Sequence, residues 1–174
     1  ALSGCASLGL GAAATMGFKS VAISTADAIS VPEGYVAQVI APWGDPVGIV
    51  GQNFAFKDDA SNSAAEQEAQ IGMHHDGIHY FALDGSKRGL LAMNHEYVDH
   101  GLLFKDGMNN WSAEKVRKSQ AAHGVAIVEV QDKGGKWEVV NPSQYARRIT
   151  TNTPMEITGP AAGHPMMKTV ADPS

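Results

Sequence analysis

The sequence is poor in cysteine and in charge, and it has no excess of basic residues. Its single cysteine, Cys5, excludes an internal disulfide. Charged residues make up 18% of the 174 residues, and the net charge is -5 at pH 7. Proteins bind nucleic acid through clustered basic residues, and the net charge of this chain is negative, so we expect no nucleic-acid partner. The apolar stretch from Leu8 to Phe18 is interrupted by Lys19 and is too short to span a bilayer.

Glycine and proline are plentiful, with 19 and 8 residues respectively. Many turns between short strands are typical of such a composition. The chain is long enough for one domain with a hydrophobic core, since 44% of its residues are hydrophobic. We therefore predict a mainly β protein with two short helices.

Residues 1–30 differ from the remainder, because they are mostly alanine, glycine, leucine and serine. They resemble either the remnant of an export signal or a flexible N-terminus. Leu2-Ser3-Gly4-Cys5 resembles a lipoprotein signal-peptidase site, whereas Ala26-Asp27-Ala28 resembles an ordinary cleavage site, and both cannot be the mature start. Lipidation at Cys5 would anchor the chain to a membrane, and otherwise we expect no membrane contact. The folded part is predicted to be 31–174.

Two helices are predicted from their N-terminal capping residues. Ser63-Ala64-Ala65-Glu66 is a capping box, which predicts a short helix running toward Ile71. Ser112 is positioned to cap a second helix over Ala113 to Ala122.

The strands are predicted from β-rich runs between turn residues. Tyr35 to Ile40 is one such run. Ile78 to Leu83 and Gly89 to Met93 are predicted to form an antiparallel pair. Gly124 to Val130 and Lys136 to Val140 are separated by a glycine-containing turn and are predicted to form a hairpin.

An amide, an imidazole and a carboxylate follow the Gly89 to Met93 run directly, in Asn94, His95 and Glu96. Binding residues often collect where a strand ends, and oxygen and nitrogen donors suit a hard or borderline metal ion. Alternatively, Asn94 and Glu96 only end the strand and bond the local backbone.

A zinc-protease helix does not fit these residues. Such a helix places two histidines four residues apart, on one helical face. His95 and His100 are five residues apart, which rotates the second ring away from the first.

A second polar cluster, His74-His75-Asp76-Gly77, precedes the Ile78 strand. Antiparallel neighbours place the start of one strand beside the end of the other, so this cluster should meet Asn94 and Glu96 at one end of the sheet. We predict Asp76, Asn94 and Glu96 as metal ligands. Alternatively, Asp76-Gly77 is a turn with solvated histidines around it.

Arg147 and Arg148 follow the last predicted strand. A guanidinium binds phosphate or carboxylate through two parallel hydrogen bonds, which suits a catalytic clamp. An arginine pair is also often structural, bonding carbonyls or acidic neighbours.

Eight ordered motifs between Val31 and Gly163 resemble those of the PhoX-type alkaline phosphatases. They are Val31-Pro32-Glu33-Gly34-Tyr35, Trp43-Gly44-Asp45-Pro46, His75-Asp76-Gly77, Asn94-His95-Glu96-Tyr97, His123-Gly124-Val125, Arg147-Arg148-Ile149-Thr150, Thr153-Pro154-Met155 and Gly159-Pro160-Ala161-Ala162-Gly163.

This resemblance implies a bacterial β-propeller that hydrolyses phosphomonoesters with a calcium and iron cluster. It also implies export to the periplasm or the exterior by the twin-arginine route. Members of the family are longer, and Cys5 does not match their iron-binding cysteine. Ala146 stands where the family pattern has asparagine. The chain then corresponds to the N-terminal part of a propeller phosphatase, its first blades, and is expected to be inactive alone, whereas the full-length protein should be an active monomer.

Two other classes of function stay open on the sequence. One is a secreted β-propeller domain that binds or scaffolds and uses its polar clusters as structural calcium sites. The other is a surface lipoprotein without enzymatic activity, which rests only on Leu2 to Cys5.

Overall fold

The structure, a computed structural model, describes residues 17–170 and divides the chain into two compact units, Ala1–Val39 and Ile40–Ser174. Cys5 and the motif around it lie outside the described residues. In the first unit, residues 17–39 form turns without helix or strand. Phe18 and Tyr35 pack edge to face at 5.8 Å, and Lys19 pairs with Glu33 at 2.9 Å.

The predicted strand from Tyr35 to Ile40 is wrong. These residues have no regular structure, and the side chains of Val36 and Val39 are 92% and 70% exposed. A β-rich sequence forms a strand only when a neighbouring strand bonds its backbone and covers its side chains.

The second unit contains a five-stranded antiparallel sheet. Its strands are β1 (His75–Asp84), β2 (Arg88–His95), β3 (Gly124–Asp132), β4 (Trp137–Val139) and β5 (Arg147–Ile149). The order is β1-β2-β3, and β3 pairs with β4 near one end and with β5 near the other. Both predicted strand pairs are confirmed, and the protein is mainly β among the described residues.

One face of the sheet, here called the core face, is covered by the loop that precedes helix α1 (Ala64–Gln67) and by the segment that follows this helix. Met93, Ala126 and Val128 on this face are buried and pack with Val47 and Ile71 from those segments. Burial of such side chains stabilises a fold by about 1.5–3 kcal/mol each.

The opposite face, here called the open face, is less covered. Register and alternation place Phe81, Ala92 and Ile127 on it. Phe81 is 53% exposed, and the other two are half-buried. Among the described residues, the sheet therefore has apolar side chains on both faces, and its buried hydrophobic cluster lies on the core face.

Helix α1 (Ala64–Gln67) has the predicted capping box, because Ser63 and Glu66 bond each other's backbone N–H groups. It ends earlier than predicted. Ala69 and Ile71 instead form backbone hydrogen bonds with the loop at residues 44–47. These tertiary bonds replace the ones that would extend the helix.

Helix α3 (Ala113–Ala122) is confirmed, with the hydroxyl of Ser112 accepting from the backbone N–H of Lys115. Between the two predicted helices lies an unpredicted four-residue helix, α2 (His100–Leu103), capped by Asp99. None of the helices within residues 17–170 is long and apolar enough to cross a membrane.

Residues 150–170, after β5, are mostly exposed and include two short 3-10 turns, Gly159–Ala161 and Pro165–Met167. The sheet formed by the described residues is not closed on itself. The propeller architecture therefore stays a prediction, while the mainly β class is established.

Candidate functional site

The two polar clusters do meet at one end of the sheet, as their places in the sequence predict. His75 on β1 pairs with His95 on β2, and the strands are antiparallel, so the residue that follows each histidine lies beside the residue that precedes the other. This pairing places Asp76 beside Asn94, with Glu96 just past the end of β2.

A β-bulge shapes this end. The register of β1 against β2 shifts between His75 and Ile78, which leaves Asp76 and Gly77 outside the regular ladder. Both backbone N–H groups donate to the side-chain oxygen Oδ1 of Asn94, the Asp76 bond measuring 3.2 Å. The side chain of Asn94 thus bonds the backbone of the neighbouring strand β1, and not the backbone next to it in sequence.

The segments next to the bulge, at His74 and Glu96, are also held together by a backbone hydrogen bond. The backbone N–H of Glu96 donates to the carbonyl of His74 at 3.2 Å. His74 has a φ of +48°, a left-handed conformation that is uncommon for residues other than glycine, although asparagine, aspartate and histidine adopt it more often than the rest. Its ring packs edge to face on Tyr97 at 5.1 Å. A strained backbone held by surrounding contacts is a common property of binding sites.

The carboxylates of Asp76 and Glu96 are exposed at this end. Their oxygens are of the kind that calcium prefers. Within residues 17–170, however, no group of three or more histidine, cysteine, aspartate or glutamate side chains is close enough to hold a metal ion. The described residues therefore offer part of a ligand set, and the assignment of Asp76, Asn94 and Glu96 stays a prediction.

The two arginines have different environments because neighbouring residues in a strand point to opposite faces. Arg147 pairs with Ile127, which places it on the open face, and its side chain is exposed. Arg148 pairs with Ala126 on the core face. One phosphate group would therefore meet only one of the two guanidinium groups.

Arg148 is bonded to the C-terminal end of α3. Its Nη2 donates to the carbonyl oxygens of Ala121 and His123, the latter at 3.1 Å. Its Nε and Nη1 atoms are buried without a hydrogen-bond partner among the described residues. Burial lowers the pKa of Arg148 to about 10, so the side chain is still charged at neutral pH. These are the contacts of a structural arginine.

Two histidines lie on the core face near Arg148. The rings of His75 and His95 are 4.9 Å apart, and His95 is only 2% exposed. Burial, followed by the charge of Arg148, lowers the pKa of His95 to about 3. Its Nε2 accepts from the backbone N–H of Gly72 at 3.3 Å, so the proton of the neutral ring is on Nδ1.

The close packing of His95 explains why its neighbour at position 72 is a glycine. A Cβ atom at Gly72 would lie 2.5 Å from Cγ of His95 and 2.3 Å from the carbonyl oxygen of Ala122. This buried group was not predicted as a unit. The pairing of His75 with His95 could have indicated it, because both residues then share a face.

Comparison with known proteins places this chain in a family. The model of the family described as alkaline phosphatase PhoX matches residues 16–174. The chain belongs to the PhoX family of alkaline phosphatases. The resemblance read from the eight motifs is thereby confirmed.

A solved structure is similar to this PhoX-family chain. It is described as Pseudomonas fluorescens PhoX in complex with vanadate, a transition state analogue. It shares 44% sequence identity with the chain and superposes with a TM-score of 0.82. The match covers 90% of this chain and 27% of the Pseudomonas chain. No match was found among curated proteins.

Proposed function

We propose that this chain is the N-terminal part of a metal-dependent alkaline phosphatase that hydrolyses phosphomonoesters. The supporting observation is the family match over residues 16–174, together with 44% identity to a PhoX that binds vanadate. Because the chain spans only 27% of that relative, the catalytic activity is proposed for a full-length protein.

The vanadate complex supports a phosphoryl-transfer reaction. A transition state analogue binds tightly when a site complements the reacting geometry rather than the substrate alone. In phosphoryl transfer, catalysis consists mostly of positioning and of stabilising negative charge on the phosphoryl oxygens.

Calcium and iron are the proposed metals, and Asp76 and Glu96 would hold calcium through their exposed carboxylates. Further ligands would come from outside the described residues. When bound, metal ions would lower the pKa of a bound water and offset charge on the phosphoryl oxygens.

Arg147 is the better placed of the two arginines to contact the phosphate. Its guanidinium is exposed on the open face and makes a long hydrogen bond of 3.4 Å to the carbonyl of Tyr145. In Arg148, by contrast, Nη2 already donates to the carbonyls of Ala121 and His123 on the core face. We propose that Arg147 binds the phosphate and that Arg148 supports the fold around it.

We also propose export to the periplasm or the exterior of a bacterium, by the twin-arginine route, and a monomeric full-length enzyme. The alanine-rich composition of residues 1–30 supports export. Mass spectrometry of the mature N-terminus would test this, and a lipid on Cys5 would instead indicate an anchored protein.

The decisive experiment measures hydrolysis of p-nitrophenyl phosphate by the full-length protein at alkaline pH. Activity should disappear after strong chelation and return when calcium and iron are restored. If the metal-loaded protein hydrolyses no phosphomonoester but still binds calcium, the binding or scaffold function is correct instead.

A further inference from the structure

We infer that Asn94 is a positioning residue, which holds the bulge that carries Asp76 and does not itself bind the metal. The inference rests on the proposed function, because it assigns Asp76 to the metal site. It replaces the prediction of Asn94 as a ligand with a different role for the same side chain.

The oxygen of Asn94 is already used. A side-chain amide oxygen has two lone pairs, and here two backbone N–H groups, those of Asp76 and Gly77, donate to it. Binding a cation with the same atom would require it to give up one of these bonds. The amide nitrogen of Asn94 carries hydrogens and offers no lone pair to a metal.

The bulge needs this acceptor. Asp76 and Gly77 stand between the paired residues His75 and Ile78, where the ladder with β2 is interrupted. Both residues are exposed, so without Asn94 these N–H groups would bond water and the bulge would lose the two bonds that attach it to β2. Gly77 also approaches the amide closely, since a Cβ atom there would lie 3.4 Å from Oδ1 of Asn94.

The other carboxylate is fixed to the same segment. The N–H of Glu96 bonds the carbonyl of His74, two residues before Asp76. Asn94 and this backbone bond therefore hold the two carboxylate-bearing segments at a set separation. Residues that orient metal ligands are commonly worth about 10–100-fold in metal affinity.

Amide hydrogen exchange and calcium titration of the full-length protein test this inference. In the wild-type protein, the amides of Asp76 and Gly77 should be protected and should stay protected when calcium binds. N94L removes the acceptor while keeping the branched shape of the side chain, so both amides should exchange at least ~10-fold faster and calcium affinity should fall ~10-fold or more. N94D keeps the oxygen and should restore protection and affinity.

Asn152 provides a matched control, because it is an exposed asparagine whose side-chain amide donates to Glu68 at 3.4 Å, away from the bulge. N152L should change neither the exchange of the two bulge amides nor calcium affinity. If N94L fails to fold, N94Q serves in its place, since it retains the amide but moves its oxygen outward by one methylene group.

Three results would overturn the inference. Calcium could release the Asp76 and Gly77 amides in the wild-type protein, which would show that Oδ1 turns to the metal. N94L, or N94Q in its place, could instead bind calcium with an affinity within twofold of that of the wild type. Finally, the wild-type protein could bind no calcium. Failure of the proposed phosphatase activity is a separate result, because neither the exchange nor the calcium measurement depends on turnover.

Discussion

At the scale of single residues, the site is defined by which side chains are already bonded and which are free to bind a ligand. Glu96 and Arg147 are exposed, whereas Asn94 and Arg148 have hydrogen-bond partners within the fold. Exposure with few internal contacts suits a ligand-binding role, so the predictions at this scale concern Glu96 and the two arginines.

Glu96→Gln in the full-length protein should weaken metal binding by ~10-fold or more, because the change removes a charge that offsets the cation. Its effect on the free energy of unfolding should stay within ~0.5 kcal/mol, since the side chain is exposed. Isothermal titration with calcium and urea denaturation would measure both. Unchanged metal affinity would show that Glu96 only follows the end of β2.

Arg147→Met and Arg148→Met form a matched pair at adjacent positions. Arg147→Met should raise KM or lower kcat for p-nitrophenyl phosphate while leaving the unfolding free energy within ~0.5 kcal/mol of wild type. Arg148→Met leaves the carbonyls of Ala121 and His123 without their donor and should cost ~1–3 kcal/mol of stability. The opposite pattern would exchange the two proposed roles.

At the scale of elements, α3 connects the sheet to the loop before α1 and to α2. Its N-terminus is capped by Ser112, and Arg148 from β5 bonds the carbonyls at its C-terminal end. Between them, Lys118 donates to the carbonyls of Ala60 and Leu103 at 2.7 and 2.8 Å and is 4% exposed. A buried lysine of this kind links three segments that are distant in sequence.

Lys118 should make stability depend on pH in the alkaline range. Burial lowers the pKa of Lys118 from 10.5 to about 8 in the folded protein. Between these two pH values the unfolded chain binds more protons at this position, so the contribution of Lys118 should raise stability as pH increases from 8 to 10.5. Below pH 8 that contribution is absent.

Urea denaturation of wild type and Lys118→Met across this pH range would measure the effect. The variant should be less stable by ~1–3 kcal/mol at pH 7, because two carbonyls lose a donor. Its free energy of unfolding should also lack the contribution that rises between pH 8 and 10.5 in the wild type. Lys87→Met, at an exposed position in the turn between β1 and β2, is the control and should retain the increase. Parallel curves for all three proteins would contradict the prediction.

At the scale of the whole molecule, the described sheet has one covered face and one open apolar face. The open face includes Phe81, which is 53% exposed, and β1 has hydrogen-bonded neighbours on only one side among the described residues. Exposed strand edges and apolar faces promote association with other chains.

The 174-residue chain by itself should therefore be catalytically inactive and should self-associate. Its metal affinity should also be weak, since the described residues supply only part of a ligand set. Phosphatase assays, sedimentation velocity and thermal unfolding of this chain would test the prediction. A soluble monomer with cooperative unfolding and phosphatase turnover would show that these residues form a complete enzyme.

Local patterns in the sequence determined the elements that depend on neighbouring residues. The capping residues Ser63 and Ser112 set the starts of two helices, and the turn-flanked runs set both strand pairs. The ordered motifs determined the family. The meeting of Asp76 with Asn94 followed from antiparallel pairing alone.

Tertiary structure decided what depends on contacts between distant segments. Tyr35 to Ile40 formed no strand, because β propensity needs a partner, and α1 ended early because Ala69 and Ile71 bonded the loop at residues 44–47. The difference between Arg147 and Arg148 was also decided there. Two identical side chains at adjacent positions acquire different environments only once β5 pairs with β3 and one face of the sheet is covered.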